Sequence, residues 1–351
     1  MQIEIFVLTL GCFFMLIFNW AFKNLPKENW QILACIPVKK INEKEWKCIN
    51  LTYYGLITSL AYGFSVITFF FLLSSVDIGV NMGILTLFLI LIFSLPASKI
   101  IAEIVEKKKN GFSVGAASFV GVIIAPFVVK AVVEFMAIDM RAGLSSVFMS
   151  ALIISYSLGE GIGRLACISF GCCYGKAIDE NPQAKKLFKK INFVFWGKTK
   201  KISYDSNLEG KPVIPIQAIT AVLYTCLALA GIYLFLKGSY LTSFIMVFFP
   251  TQLWRFFSEF LRADYRGSGK ISRYQIMSLV SMMYMLGYIY FLKLPKDVNL
   301  KADILKGISI FSNLNVLSVI LFTAIYVFFF TGISKVTTSK AQINTIYQDY
   351  I

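Results

Sequence analysis

Gly159-Glu160-Gly161-Ile162-Gly163-Arg164-Leu165-Ala166-Cys167-Ile168-Ser169-Phe170-Gly171-Cys172-Cys173-Tyr174-Gly175-Lys176 follows directly on a charge-free run over 142–159. Five glycines fall within the 17 residues 159–175. Such density permits close helix approach and contact between backbone and a ligand. Glu160 and Arg164 stand at i and i+4, so they share one helix face and can pair. Charge set into an apolar helix is costly in a bilayer and usually functional.

The rest of the chain agrees with a membrane setting. Of its 351 residues 57% are hydrophobic and only 15% charged. A soluble domain carries about 25% charged residues, so a soluble enzyme, a disordered tail and a collagen-like fibre are excluded. A membrane helix needs about 20 mainly apolar residues. Runs between charges place candidates over 5–22, 48–76, 78–98, 110–129, 142–159, 212–236, 238–254, 274–292 and within 307–334. The expected fold is an all-α integral membrane protein of about nine transmembrane helices. The first run lacks a basic start and a small-residue cleavage site, so it reads as a retained helix rather than a signal peptide. Two polar segments interrupt the spans. Residues 23–47 read as a mixed-charge connection. Residues 176–212 read as a small polar head with short strands, because Phe193–Trp196 and Lys200-Ile202-Tyr204 alternate.

The net charge is +15, from 34 Lys and Arg against 19 Asp and Glu. In a membrane protein these cations sit in loops and attract anionic membrane lipids. No soluble basic domain is present to bind nucleic acid, which is excluded as a partner. There is no histidine, which removes the usual general base and the commonest metal ligand.

A second charged stretch is Arg255-Phe256-Phe257-Ser258-Glu259-Phe260-Leu261-Arg262. Its Arg255, Glu259 and Arg262 lie at i, i+4 and i+7, one stripe of a helix. Two guanidiniums held by one carboxylate would offer planar forks to a phosphate. Cys167, Cys172 and Cys173 have the spacing C-x4-C-C, which does not match zinc-ligand pairs. They read as cavity-lining or supporting thiols, neither disulfide nor metal site, with Arg164 able to favour a thiolate. Lesser signals are Tyr54-Gly55, Asn110-Gly111-Phe112 and Pro215-Ile216-Gln217.

In this order the features resemble the prolipoprotein diacylglyceryl transferase family of the bacterial inner (cytoplasmic) membrane. Tyr54-Gly55 matches the family's Tyr-Gly at the start of its first core helix. Gly163-Arg164-Leu165, Gly171 and Gly175 match parts of the G-R-[IL]-G-N-F-x-N-G-E-x-x-G signature. Pro215 and Gln217 match H-P-[ST]-Q-L-Y-E, and Arg255, Glu259-Phe260 and Arg262 match R-x-x-x-E-F-x-R. This chain departs where the family carries histidines, one before Pro215, which is Ile214 here, and one near 111–121. It also has Cys167 and Phe170 at the Asn positions and Cys172 at the Glu position.

The resemblance implies a seven-helix core over 50–292 with the head at 176–212. An extra N-terminal helix and connection (1–49) and an extra C-terminal helix and tail (293–351) flank it. It also implies a membrane transferase that moves the diacylglyceryl group of phosphatidylglycerol onto the lipobox cysteine thiol of a prolipoprotein signal peptide, glycerol phosphate leaving. No cofactor or metal is called for. Arg164, Arg255, Glu259 and Tyr54 would be catalytic. Arg262, Gly163, Gly171, Gly175, Gln217, Cys167 and Cys172 would bind substrate. The arginines would stabilise the departing phosphate; Tyr54, Glu259 or the arginine field would have to activate the thiol. The family's outward head sets the lysine-rich segments, 107–109 among them, against the positive-inside rule. Two other readings stay open. One is a transporter or lipid-binding protein whose Arg-Glu-Arg stripe holds an anion. The other is a transferase using Cys172 or Cys173 as a covalent carrier.

Overall fold

The computed structural model describes residues 1–106, 114–136, 143–180, 182–264, 271–292 and 300–343. The lysine run at 107–109 and the segment 110–112 lie outside them. The chain begins with α1 (Gln2–Asn24), the hairpin β1 (Ile32–Lys40) and β2 (Glu45–Thr52), α2 (Tyr53–Ser75), α3 (Val80–Glu106), α4 (Val114–Met136) and α5 (Leu144–Phe170). The head then contributes α6 (Pro182–Phe188), β3 (Phe193–Val194), α7 (Lys201–Ser206) and β4 (Pro212–Val213). After it come α8 (Ile216–Leu236), α9 (Tyr240–Leu261), α10 (Arg273–Leu292), α11 (Ile304–Ile308), α12 (Leu314–Gly332) and β5 (Ile333–Gln342).

Among the described residues seven helices are long and apolar enough to cross a membrane: α1 to α5, α8 and α12. The fold is therefore a multi-pass, mainly helical membrane protein. The expected count is about nine; α9 and α10, of 22 and 20 residues, stand at the two other expected positions but are not among the seven. Polar residues such as Thr251, Gln252, Arg255 and Glu259 make α9 less apolar.

Burial and polarity run together. Helix α5 is the least apolar of the seven and the most enclosed, packed by α2, α4, α8 and α9. Helix α12 is strongly apolar and the least enclosed, touching mainly α2. That is the order a bilayer imposes, because polar groups gain nothing from hydrocarbon and turn inward. Helix α1 packs on α8. Glycines on α5 set its spacing: a Cβ at Gly159 would come within 2.9 Å of Ser65 on α2, and one at Gly161 within 2.7 Å of Thr225 on α8.

The sequence reading missed a three-stranded antiparallel sheet in the order β1-β2-β5. The sequence pattern places 23–47 in a connection and opens the second span at 48, whereas residues 48–52 end a strand. Alternation explains the strand: Cys48, Asn50 and Thr52 are buried and the residues between them are less so. The apolar run simply continues from strand into helix, and Thr52 marks the change. Its side chain accepts a hydrogen bond from the Gly55 amide and caps α2. The central strand β2 pairs with β5 from the far end of the chain, Lys47 opposite Lys340.

The head is packed rather than a solvated loop. Phe193, Phe195, Ile202, Tyr174 and Val213 share a core with Phe18, Ala21 and Leu25 from the end of α1. Strands β3 and β4 pair as a short hairpin-like ladder. The segment Lys200-Ile202-Tyr204 is not a strand; it forms α7. Three alternating residues cannot distinguish a strand from one helical turn.

Candidate active site

A cavity of about 330 Å³ opens beside α5. Its wall takes Tyr54 from the first turn of α2, Gly163, Arg164 and Cys167 from α5, and Cys172 and Cys173 from the turn after α5. Gln217 comes from α8, Arg255 and Glu259 from α9, and Arg262 from the residue that ends α9. Nine of the expected site residues thus meet at one cavity although they span positions 54 to 262. Gly171 and Gly175 stand behind the wall. Gly171 ends α5 in the left-handed conformation (φ 72°), where side chains other than glycine's are disfavoured. Gly175 lies against the Ile214 backbone, where a Cβ would fall 2.3 Å from the carbonyl oxygen.

Each arginine has its own support. Arg164 pairs with Glu160 one turn back, and its Nε has no hydrogen-bond partner among the described residues. Arg255 donates to the Ser118 hydroxyl at 2.7 Å and to the Tyr156 hydroxyl at 2.6 Å. Arg262 forks onto Asp264 at 2.9 and 3.0 Å and lies 3.6 Å from Glu259. The expected stripe, two guanidiniums on one carboxylate, is therefore replaced by a different arrangement. Glu259 accepts from Ser272 at 3.2 Å and pairs with Arg262, while hydroxyls from α4 and α5 hold Arg255. The i+7 residue sits where α9 ends and its backbone turns extended, which aims Arg262 at Asp264.

Ser118, Tyr156 and Asp264 escaped the sequence reading. Tyr156 had a signal, since Tyr156, Glu160 and Arg164 repeat every four residues on one face of α5. Ser118 and Asp264 had none. Gly115 leaves the space that Arg255 uses: a Cβ there would meet its guanidinium at 2.9 Å. Gln217 donates to the Cys172 carbonyl at 2.9 Å, and its own buried side-chain oxygen accepts nothing from the described residues. Ser272 and Gln275 cap α10 reciprocally, which anchors Ser272 beside Glu259.

Among the described residues, the charged ones on the wall are Arg164, Arg255, Arg262 and Lys201 against Glu160, Glu259 and Asp264. A cation surplus with forked donors suits an anionic group such as a phosphate ester. Behind the wall, Lys200 is fully buried and donates to the carbonyls of Leu25 (3.0 Å) and Ser169 (2.6 Å). Burial pulls its amine down to about 7. It ties the end of α5 to the end of α1.

Long apolar helices around a cavity lined by three arginines define a multi-pass membrane protein with a cation-rich site. The family model for prolipoprotein diacylglyceryl transferase matches residues 45–291, from β2 to α10 and including every cavity residue named above. The chain belongs to that family, and is a membrane transferase of lipoprotein maturation. A search of curated proteins finds no match.

Proposed function

We propose that this protein transfers the diacylglyceryl group of phosphatidylglycerol to the cysteine thiol of a prolipoprotein signal peptide, in a bacterial inner membrane. The observation that carries this reading is the gathering of Arg164, Arg255 and Arg262 at one enclosed wall. In the reaction the thiol sulfur attacks the glycerol carbon, the carbon–oxygen bond to phosphate breaks, and glycerol phosphate leaves. Negative charge grows on the leaving oxygen. Preorganised donors in a water-poor site stabilise such charge most effectively. The Nε–H of Arg164, without a partner among the described residues, supplies a donor, and the buried Gln217 oxygen supplies an acceptor for the incoming thiol. Tyr54 lies on the same wall as a further donor. Residues 50–292 carry the whole site in this reading, and α1 and α12 flank it.

The test is incubation of purified protein with phosphatidylglycerol vesicles and a lipobox peptide, with mass analysis of the products. A diacylglyceryl adduct on the peptide cysteine, with glycerol phosphate in equal amount, is expected. A peptide with serine at that position should stay unmodified. An adduct on the protein's own cysteines supports the covalent-carrier reading. No turnover with any acceptor supports anion binding or transport.

A further inference from the structure

Cys167, Cys172 and Cys173 bring their Sγ atoms within 4.8 Å of one another. None of the seven cysteines forms a disulfide. The C-x4-C-C spacing gives little hint of this cluster. It closes because α5 ends in a left-handed Gly171, and Cys173 itself adopts φ 55°. The Cys172 amide folds back to the Cys167 carbonyl at 3.0 Å. All three side chains line the cavity, beside Arg164 and Arg262.

We propose that these three thiols bind a zinc ion whose fourth coordination position opens into the cavity and takes the acceptor's thiol. The inference rests on the diacylglyceryl-transfer reading and gives the nucleophile a more direct means of activation than Tyr54, Glu259 or the arginine field in a chain without histidine. Three protein ligands and one open position characterise zinc sites that do chemistry rather than hold structure. Sulfurs around a zinc, at about 2.3 Å from the metal, stand about 3.8–4.0 Å apart. The cluster therefore needs only small side-chain rotations. Three thiolates and a divalent ion carry net negative charge, and a fourth thiolate adds to it. Arg164 and Arg262 are already paired with carboxylates, but the wall's four described cations, Arg255 and Lys201 included, exceed its three described carboxylates by one and offset part of that charge.

Coordination strips the acceptor thiol of its proton, which passes to cavity water and out. The sulfur lone pair then forms the bond to the glycerol carbon, and the electron pair of the broken carbon–oxygen bond leaves with glycerol phosphate. The metal keeps its oxidation state. The product thioether is a weaker ligand than a thiolate and departs, which reopens the position.

The test uses the full-length protein in detergent, with zinc or cobalt as the probe. Purified wild type should retain about one zinc per chain. Its cobalt-substituted form should show thiolate-to-cobalt charge-transfer absorption. A lipobox peptide should strengthen that absorption, and a serine peptide should leave it unchanged. Cys172→Ala should lose the zinc and most of the absorption. A wild-type cobalt spectrum without thiolate bands overturns the site, whatever the variants do. If a variant combining Cys167→Ala, Cys172→Ala and Cys173→Ala transfers diacylglyceryl at the wild-type rate, the metal step is wrong and the transferase reading stands. If wild type binds zinc and the peptide thiol but transfers nothing from phosphatidylglycerol, the site stands and the donor assignment falls.

Discussion

Arg255 of α9 donates to the phenol of Tyr156 on α5 at 2.6 Å, across the helix pair that forms one wall of the cavity. This bond, with the one to Ser118, fixes the guanidinium plane before any substrate arrives. A hydrogen bond to a charged group contributes about 1.5–3 kcal/mol. Tyr156→Phe should therefore lower transfer by roughly tenfold or more, with little change in membrane expression. Release of glycerol phosphate at equal protein level is the measurement.

Arg255→Lys keeps the charge but cannot reach two hydroxyls and an anion with one ammonium in a fixed plane. We predict loss of most activity. Wild-type turnover in this variant would remove the phosphate-clamp role.

The sequence alone suggests that Arg262, near a helix end, is screened by water and tolerates change better than Arg255. Its side chain is instead only 8% exposed and forked onto Asp264. Breaking a buried pair by removing one partner costs about 3–5 kcal/mol. Asp264→Ala should accordingly lower the thermal midpoint in detergent, and more than Arg262→Lys does. Unfolding followed by fluorescence or by aggregation would show this.

Gly55 and Gly332 bring α2 and α12 together. A Cβ at Gly55 would fall 2.0 Å from the Gly332 Cα, a backbone atom that cannot move aside. Gly55→Ala should detach or tilt α12 and disturb the adjacent Tyr54. Gly63→Ala, where a Cβ would meet nothing within 4 Å, is the matched control. A cysteine crosslink between α2 and α12 reports the difference.

Lys200 makes the stability of the head depend on pH. Its amine titrates near 7 when folded and near the ordinary 10.5 when unfolded, because burial opposes the charge. Between those values the unfolded chain binds more protons, so stability should rise with pH from about 7 to 10.5. Below 7 the destabilisation is complete and this dependence flattens. A neutral amine still has two N–H groups for its two carbonyls. Lys200→Met should abolish this part of the pH dependence, measured as protease resistance of the head.

Much of the molecule was readable without coordinates. Composition and charge-free runs determined the membrane setting and the approximate position of each long helix, because the cost of burying charge in hydrocarbon acts on every residue locally. Helical spacing put Glu160 on the face of Arg164, and motif order brought Tyr54, Gln217 and the arginines under one family. The sheet was hidden because β2 pairs with β5 nearly 290 residues later, and no local pattern records such a partner. The Arg262–Asp264 fork depended on where α9 ends, and the Arg255–Tyr156 bond on the helix crossing. The thiol cluster depended on the left-handed turn at Gly171. Local physics selected helices and their polar faces; only tertiary packing chose which polar groups meet, because those partners lie far apart along the chain.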